Sequence, residues 1–220
     1  MRLLLGILVS IALPAGQAAL RAASPRPPVE HRQERADAPE RAPERLFEAG
    51  EPFERFAARA AVHAGLWTRV RGARPDLVAR LRRAAGGLRV LVVAEHWCVD
   101  SANTVPWLAR AAAEAGIPLR IIDRERGRGV LDAHRTADGR TATPLVLLVR
   151  EDGEAAAWVE RPAALQRAFR DLFATGRGAN VFTDRQAWYD RDAGGSALAE
   201  IVALAERHVG MGAEGADARR

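Results

Sequence analysis

The chain has 220 residues, 48% of them hydrophobic, and a formal net charge of +5. That length suits one domain of ordinary size with extensions, and a single cysteine excludes an intramolecular disulfide, a disulfide scaffold and a multi-cysteine zinc site. All 33 basic residues are arginine. They are interleaved with Asp and Glu rather than gathered into a stripe, so the charge reads as a codon-composition bias and nucleic acid is not an expected partner.

The N-terminus begins Met1-Arg2 and continues in a short apolar run from Leu3 to Leu13, with small residues at Ala15, Gly16, Ala18 and Ala19. The run falls short of the roughly 20 residues a spanning helix needs. The pattern predicts a secretory signal peptide over 1–20, cleaved after Ala18. An uncleaved membrane anchor, or a misassigned start ahead of a cytoplasmic protein, are the alternatives. The signal reading places the mature protein in the periplasm or outside the cell. Residues 21–45 are rich in Pro, Arg, Glu and Ala, bury too little to offset their ordering entropy, and are expected to be a disordered tether.

Folded structure is expected from Leu46. Phe53, Phe56, Ala57, Ala60, Ala61, Ala64 and Trp67 fall near helical spacing, predicting one or two helices to Arg71 with a break at Gly50-Glu51-Pro52. Pro75 to Ala85 predicts an amphipathic helix with Leu77, Val78 and Leu81 inward. Arg89 to Ala94 reads as a buried strand, Asp100 to Ala115 as a helix with Pro106 as a kink point, and Leu119 to Ile122 as a second strand. A short helix over Gly129 to Thr136 and a turn at Asp138-Gly139 precede a third strand from Thr143 to Val149. Asp152-Gly153 is a two-residue hairpin signal leading to a fourth strand, Ala155 to Val159. Pro162 to Phe173 predicts a helix that closes the sheet. Val181 to Val209 offers a helix with Trp188 and Tyr189 and another over Ser196 to Arg207. A β-α-β-α-β-β-α order predicts the α/β class, a sheet with helices on both faces. The expected partition is an N-terminal helical extension over 46–87, a central domain over 88–175, a C-terminal helical extension over 176–209 and a disordered tail over 210–220.

Chemistry concentrates at Glu95-His96-Trp97-Cys98-Val99-Asp100-Ser101. A thiol between a strand end and a helix start lies where free N–H groups and the helix dipole favour an anion, the setting that makes cysteine a nucleophile. Its other reading is a small buried hydrophobe. Asp100, two residues on, competes for the same dipole and repels a thiolate; it also reads simply as a favourable first-turn residue. His96, if protonated and close, pushes the other way. His96 and Cys98 lack further ligands at metal-binding spacing, so no metal and no other cofactor is expected.

These residues resemble the thioredoxin superfamily over roughly Leu88 to Phe173. Trp97-Cys98 stands where that family has Trp-Cys ahead of its active-site helix. Pro106 stands where its helix-kinking proline lies, and Thr143-Pro144 where a cis-proline faces the cysteine. With Trp158-Val159-Glu160-Arg161-Pro162 after the hairpin, the chain is similar to a bacterial subgroup carrying Trp-Cys-x-Asp without the second cysteine. The resemblance implies a thioredoxin-like fold, a central mixed sheet of about four strands flanked by helices, with additional helices at both ends. It implies Cys98 and Ser101 as the catalytic pair, Trp97, Thr143 and Pro144 as substrate contacts, and His96 and Asp100 as modulators. Ser101 replaces the resolving thiol, and Val92 the buried acid that serves it. What remains is monothiol exchange with an external thiol, the partner being a small thiol or a protein bearing a thiol or disulfide. A non-catalytic binding module and a dimer linked through Cys98 are the alternatives.

Overall fold

The structure is a computed structural model that describes residues 43–176 and 181–217, with side chains as far as Gly210 and Val181 excepted. The expected signal segment over 1–20 and most of the expected tether lie outside the described residues. Among the described residues no helix is long and apolar enough to cross a membrane.

Three short helices lead in: α1 (Pro43–Glu48), α2 (Phe53–Ala58) and α3 (Ala64–Thr68), followed by α4 (Pro75–Arg83). Helix α1 begins inside the expected tether, because Leu46 and Phe47 are both buried and anchor it. The stretch read as one or two helices is three, broken at Pro52 and at His63, whose positive φ of 58° ends one turn and starts the next.

Strands β1 (Arg89–Val93), β2 (Leu119–Ile122), β3 (Leu145–Val149) and β4 (Ala155–Val159) form one mixed sheet in the order β2-β1-β3-β4. The parallel β1–β2 pair is joined by the long crossover helix α5 (Val99–Ala115), as parallel strands require. β3 then runs antiparallel between β1 and β4, pairing Leu91 with Leu147 and Val146 with Trp158. Central strands β1 and β3 are buried on both faces, which is why both read as continuous apolar runs. The free edge of β2 is covered by a two-bond bridge between Glu51 and Ile121.

The β3–β4 connection is longer than the expected two-residue turn. Gly153 donates to the Arg150 carbonyl and Arg150 to that of Glu154, leaving a three-residue loop with Gly153 at φ 85°. A type I turn closed by a left-handed glycine is the next commonest hairpin loop, and Asp-Gly serves either form.

One sheet face presents Val90, Val92, Ile121, Val146, Leu148 and Trp158; the other presents Leu91, Val93, Ile122, Leu145, Leu147 and Val149. The second face packs under α1 and α6 (Arg128–Ala133), through Leu46, Phe47, Val130 and Leu131. The first face packs against α4, α5 and the last helix, α9 (Gly195–Asp217). Here the architecture departs from expectation. Helix α7 (Ala163–Ala174) does not close the sheet; its Leu165 and Phe169 pack with Tyr189 of α8 (Val181–Asp192) in a separate cluster. The closing role falls to α9, whose Ala197, Leu198, Ile201, Val202 and Ala205 lie in the same core as the sheet. Glu200 ties the two arrangements together by accepting from the Trp158 indole at 2.8 Å and from the first N–H of α7 at 2.9 Å. α9 also continues to Asp217, through most of the expected tail. Leu77, Val78, Leu81 and Trp67 share this core too, so the helices before β1 are part of the domain.

Candidate functional site

Cys98 is the N-cap of α5. After β1 the chain turns through Glu95-His96-Trp97, closed by the Cys98 N–H donating to the Glu95 carbonyl at 3.1 Å. Cys98 itself is extended (φ −79°, ψ 113°), and its carbonyl accepts the first helical bond, from Ala102. The sulfur takes the place of a capping oxygen, accepting the Ser101 N–H at 3.4 Å. On its other side Cys98 Sγ donates to the Thr143 carbonyl at 3.2 Å. The sulfur therefore accepts one hydrogen bond and donates another. Cys98 is half-buried.

The structure thus brings Cys98, Ser101 and Thr143 together, with differences from what the residues led us to expect. Ser101 reaches the sulfur through its backbone N–H; its hydroxyl is fully buried and makes no hydrogen bond. The Thr143–Pro144 bond is cis, Pro144 is buried, and the Thr143 carbonyl is the group that accepts from the thiol. Trp97 is 59% exposed and lines a cleft of about 540 Å³ with Glu95, Arg124, Arg128 and Thr141. Glu95 accepts the Arg124 N–H at 2.8 Å and so fixes one wall of that cleft.

His96 is committed elsewhere. Its Nε2 lies 2.9 Å from the Phe56 carbonyl, and its ring centroid lies 4.0 Å from that of Phe56. The buried Trp67 donates its indole N–H to the His96 carbonyl at 3.3 Å. His96 fastens the loop to the aromatic cluster of α2 and α3 and has no hydrogen bond to Cys98.

Asp100 differs most from expectation. It is 3% exposed. Tyr189 donates its hydroxyl to Oδ1 at 2.8 Å, while Arg161 Nη2 lies 2.8 Å and Arg185 Nη1 3.5 Å from Oδ2. Burial pushes the Asp100 carboxyl up from its ordinary range, and the two guanidinium groups and the tyrosine hydroxyl pull against that. Burial, together with the Asp100 charge, drives Tyr189 upward, so its hydroxyl stays a donor. The carboxylate expected to oppose the thiolate has its charge balanced by two arginines.

These partners lie far from Asp100 in the sequence. Arg161 and Tyr189 stand 61 and 89 residues from Asp100, and no local pattern links them. Tyr189 carried one faint signal, as the chain's single tyrosine in a helix unexplained by the resemblance. A second link joins the same helices: Asn103 accepts from Arg69 at 2.7 Å and donates to Gln186 at 3.1 Å.

A thioredoxin family model matches residues 66–173. A crystal structure of a protein of unknown function from Pseudomonas aeruginosa is 28% identical, with a TM-score of 0.58, covering 76% of this chain and 98% of that one. An HIV epitope scaffold, also a crystal structure, is 28% identical with a TM-score of 0.56, covering 75% of this chain and 98% of its own. No curated protein matches the chain. Sheet order, helix placement and the family match agree on a thioredoxin-like domain.

Proposed function

We propose that this thioredoxin-like domain carries out monothiol exchange through Cys98, with an external thiol as the resolving partner. The observation that supports it best is the placement of Cys98 Sγ as the capping acceptor of a 17-residue helix, against the Thr143 carbonyl. The Cys98 thiolate attacks one sulfur of a disulfide, forming the Cys98 mixed disulfide and releasing the other half as a thiolate. An external thiolate then attacks the outer sulfur of that mixed disulfide, forming a new disulfide and returning Cys98 as thiolate. The cycle is a net exchange of thiol partners, with no net oxidation of the protein. An anion-stabilising cap also makes Cys98 a good leaving group, which favours the second step.

The Thr143 carbonyl gives the first step a condition. It accepts from the thiol, and that contact must give way before the sulfur attacks. An extended peptide that donates a backbone N–H to this carbonyl takes over the contact as it delivers its disulfide. Peptide disulfides are accordingly better substrates than small ones. An exported location, expected from the N-terminal apolar run, suits a thiol that meets disulfides.

The test is a coupled assay in which glutathione exchanges with a fluorogenic peptide disulfide. Catalysis that disappears in Cys98→Ser supports the proposal. Equal rates with and without protein favour the binding module, the reading supported by Ser101 in place of a resolving thiol and by the buried Val92.

A further inference from the structure

Two separate segments build the Cys98 site, the first turn of α5 and the Thr143–Pro144 corner before β3. Their reacting groups meet through the thiol's donation to the Thr143 carbonyl at 3.2 Å, and a thiol is a weak donor. Something firmer must set their spacing.

We infer that Arg161 is the positioning residue that holds the Cys98 helix start in register with the Thr143–Pro144 corner, and so governs which disulfides Cys98 can take. This rests on the exchange reading above. Arg161 Nη2 lies 2.8 Å from Asp100 Oδ2 and 2.5 Å from Glu160 Oε1. Asp100 belongs to the first turn of α5, two residues from the sulfur. Glu160 donates its backbone N–H to the Pro144 carbonyl at 2.8 Å. The contacts close a ring, from Cys98 Sγ to Thr143, through Pro144 to Glu160, across Arg161 to Asp100, and back along the helix to Cys98.

Each link is built for rigidity. The Arg161 side chain is 12% exposed, and its guanidinium carbon lies 4.7 Å from the centroid of the Phe169 ring. The Glu160 carboxylate is further held by Gln166 at 2.7 Å and by Arg140 at 3.3 Å. Glu160 keeps a φ of 69°, a left-handed conformation uncommon for a side chain of this size. Such strain persists where surrounding contacts over-determine the backbone. Here it turns the Glu160 N–H toward Pro144 while its carboxylate stays with Arg161. Both carboxylates are met by the one nitrogen Nη2, and a lysine lacks the flat guanidinium face that stacks on Phe169.

A peptide disulfide must meet Cys98 Sγ and the Thr143 corner together, so its reaction depends on the register. A small disulfide such as oxidised cysteamine needs the sulfur alone. Arg161→Gln should lower the rate of mixed-disulfide formation with a peptide disulfide by about tenfold or more, in line with the cost of misplacing reacting groups by about an ångström. The rate with oxidised cysteamine should change by less than about twofold. Arg161→Lys should fall between Arg161→Gln and the natural protein in the peptide reaction, and it decides the matter if Arg161→Gln fails to fold by circular dichroism. A peptide-to-small rate ratio unchanged in the folded variants, or both rates falling together, overturns the inference. If the natural protein reacts with neither reagent, the exchange reading fails instead, an outcome visible before any variant is made.

Discussion

Replacing Asp100 by alanine separates two accounts of the same residue by magnitude. As an exposed first-turn carboxylate its interaction with the helix dipole would contribute about 0.3–1 kcal/mol. As a buried carboxylate it is the acceptor for Arg161, Arg185 and the Tyr189 hydroxyl. Removing one partner of a buried ion pair costs about 3–5 kcal/mol, because the remaining charges stay buried without compensation. For a domain of this size each kcal/mol moves Tm by about 2–4 °C, so Asp100→Ala should lower Tm by roughly 6–20 °C, against less than about 4 °C for the exposed case. Asp100→Asn keeps an acceptor for the tyrosine hydroxyl and should cost less than alanine. Thermal and urea unfolding followed by circular dichroism measure both. An Asp100→Ala loss below about 1 kcal/mol would refute the buried-network account.

Ile201→Ala should destabilise the domain by about 2–5 kcal/mol in urea unfolding, since Ile201 is fully buried against the sheet face; a loss under about 0.5 kcal/mol would show that α9 is an appendage. Gly194→Ala should cost at least about 2 kcal/mol by the same measurement, because Gly194 has φ 73° and a β-carbon there would overlap the Trp107 ring; unchanged stability would contradict that packing. Burial lowers His134 from its ordinary 6.5, so the unfolded chain binds the proton more readily. Its contribution is therefore complete above 6.5 and is lost as pH falls from there through the lower folded value. His134→Gln should flatten the stability profile in that interval, and an identical slope in variant and natural protein would contradict the assignment.

What the sequence revealed, and what it hid, follows from the range of the interactions. β1 and β3 were legible because Val90–Val93 and Leu145–Val149 are apolar at every position, β3 being entered through Pro144. The placement of Cys98 was legible because a strand-to-helix junction is a local pattern. α1 starts three residues before the expected boundary at Leu46 because Pro43-Glu44-Arg45 carries no large apolar side chain to signal it. α7 was correctly a helix but wrongly the closing one. Periodicity in Leu165, Phe169 and Leu172 shows which side is apolar and not what covers it, and α9 offered an equally apolar stripe. Asp100 illustrates the same limit at the site. Its first-turn position was local information, while Arg161, Arg185 and Tyr189 reach it only through the tertiary fold.

The central claim is that Cys98 forms a mixed disulfide that an outside thiol removes. Intact-mass analysis of the purified chain after exposure to oxidised glutathione, then after reduced glutathione, tests it directly. One glutathionyl addition that is absent in Cys98→Ser and reversed by reduced glutathione is the expected result. An unmodified mass throughout, in a protein whose fold is intact by circular dichroism, would contradict it.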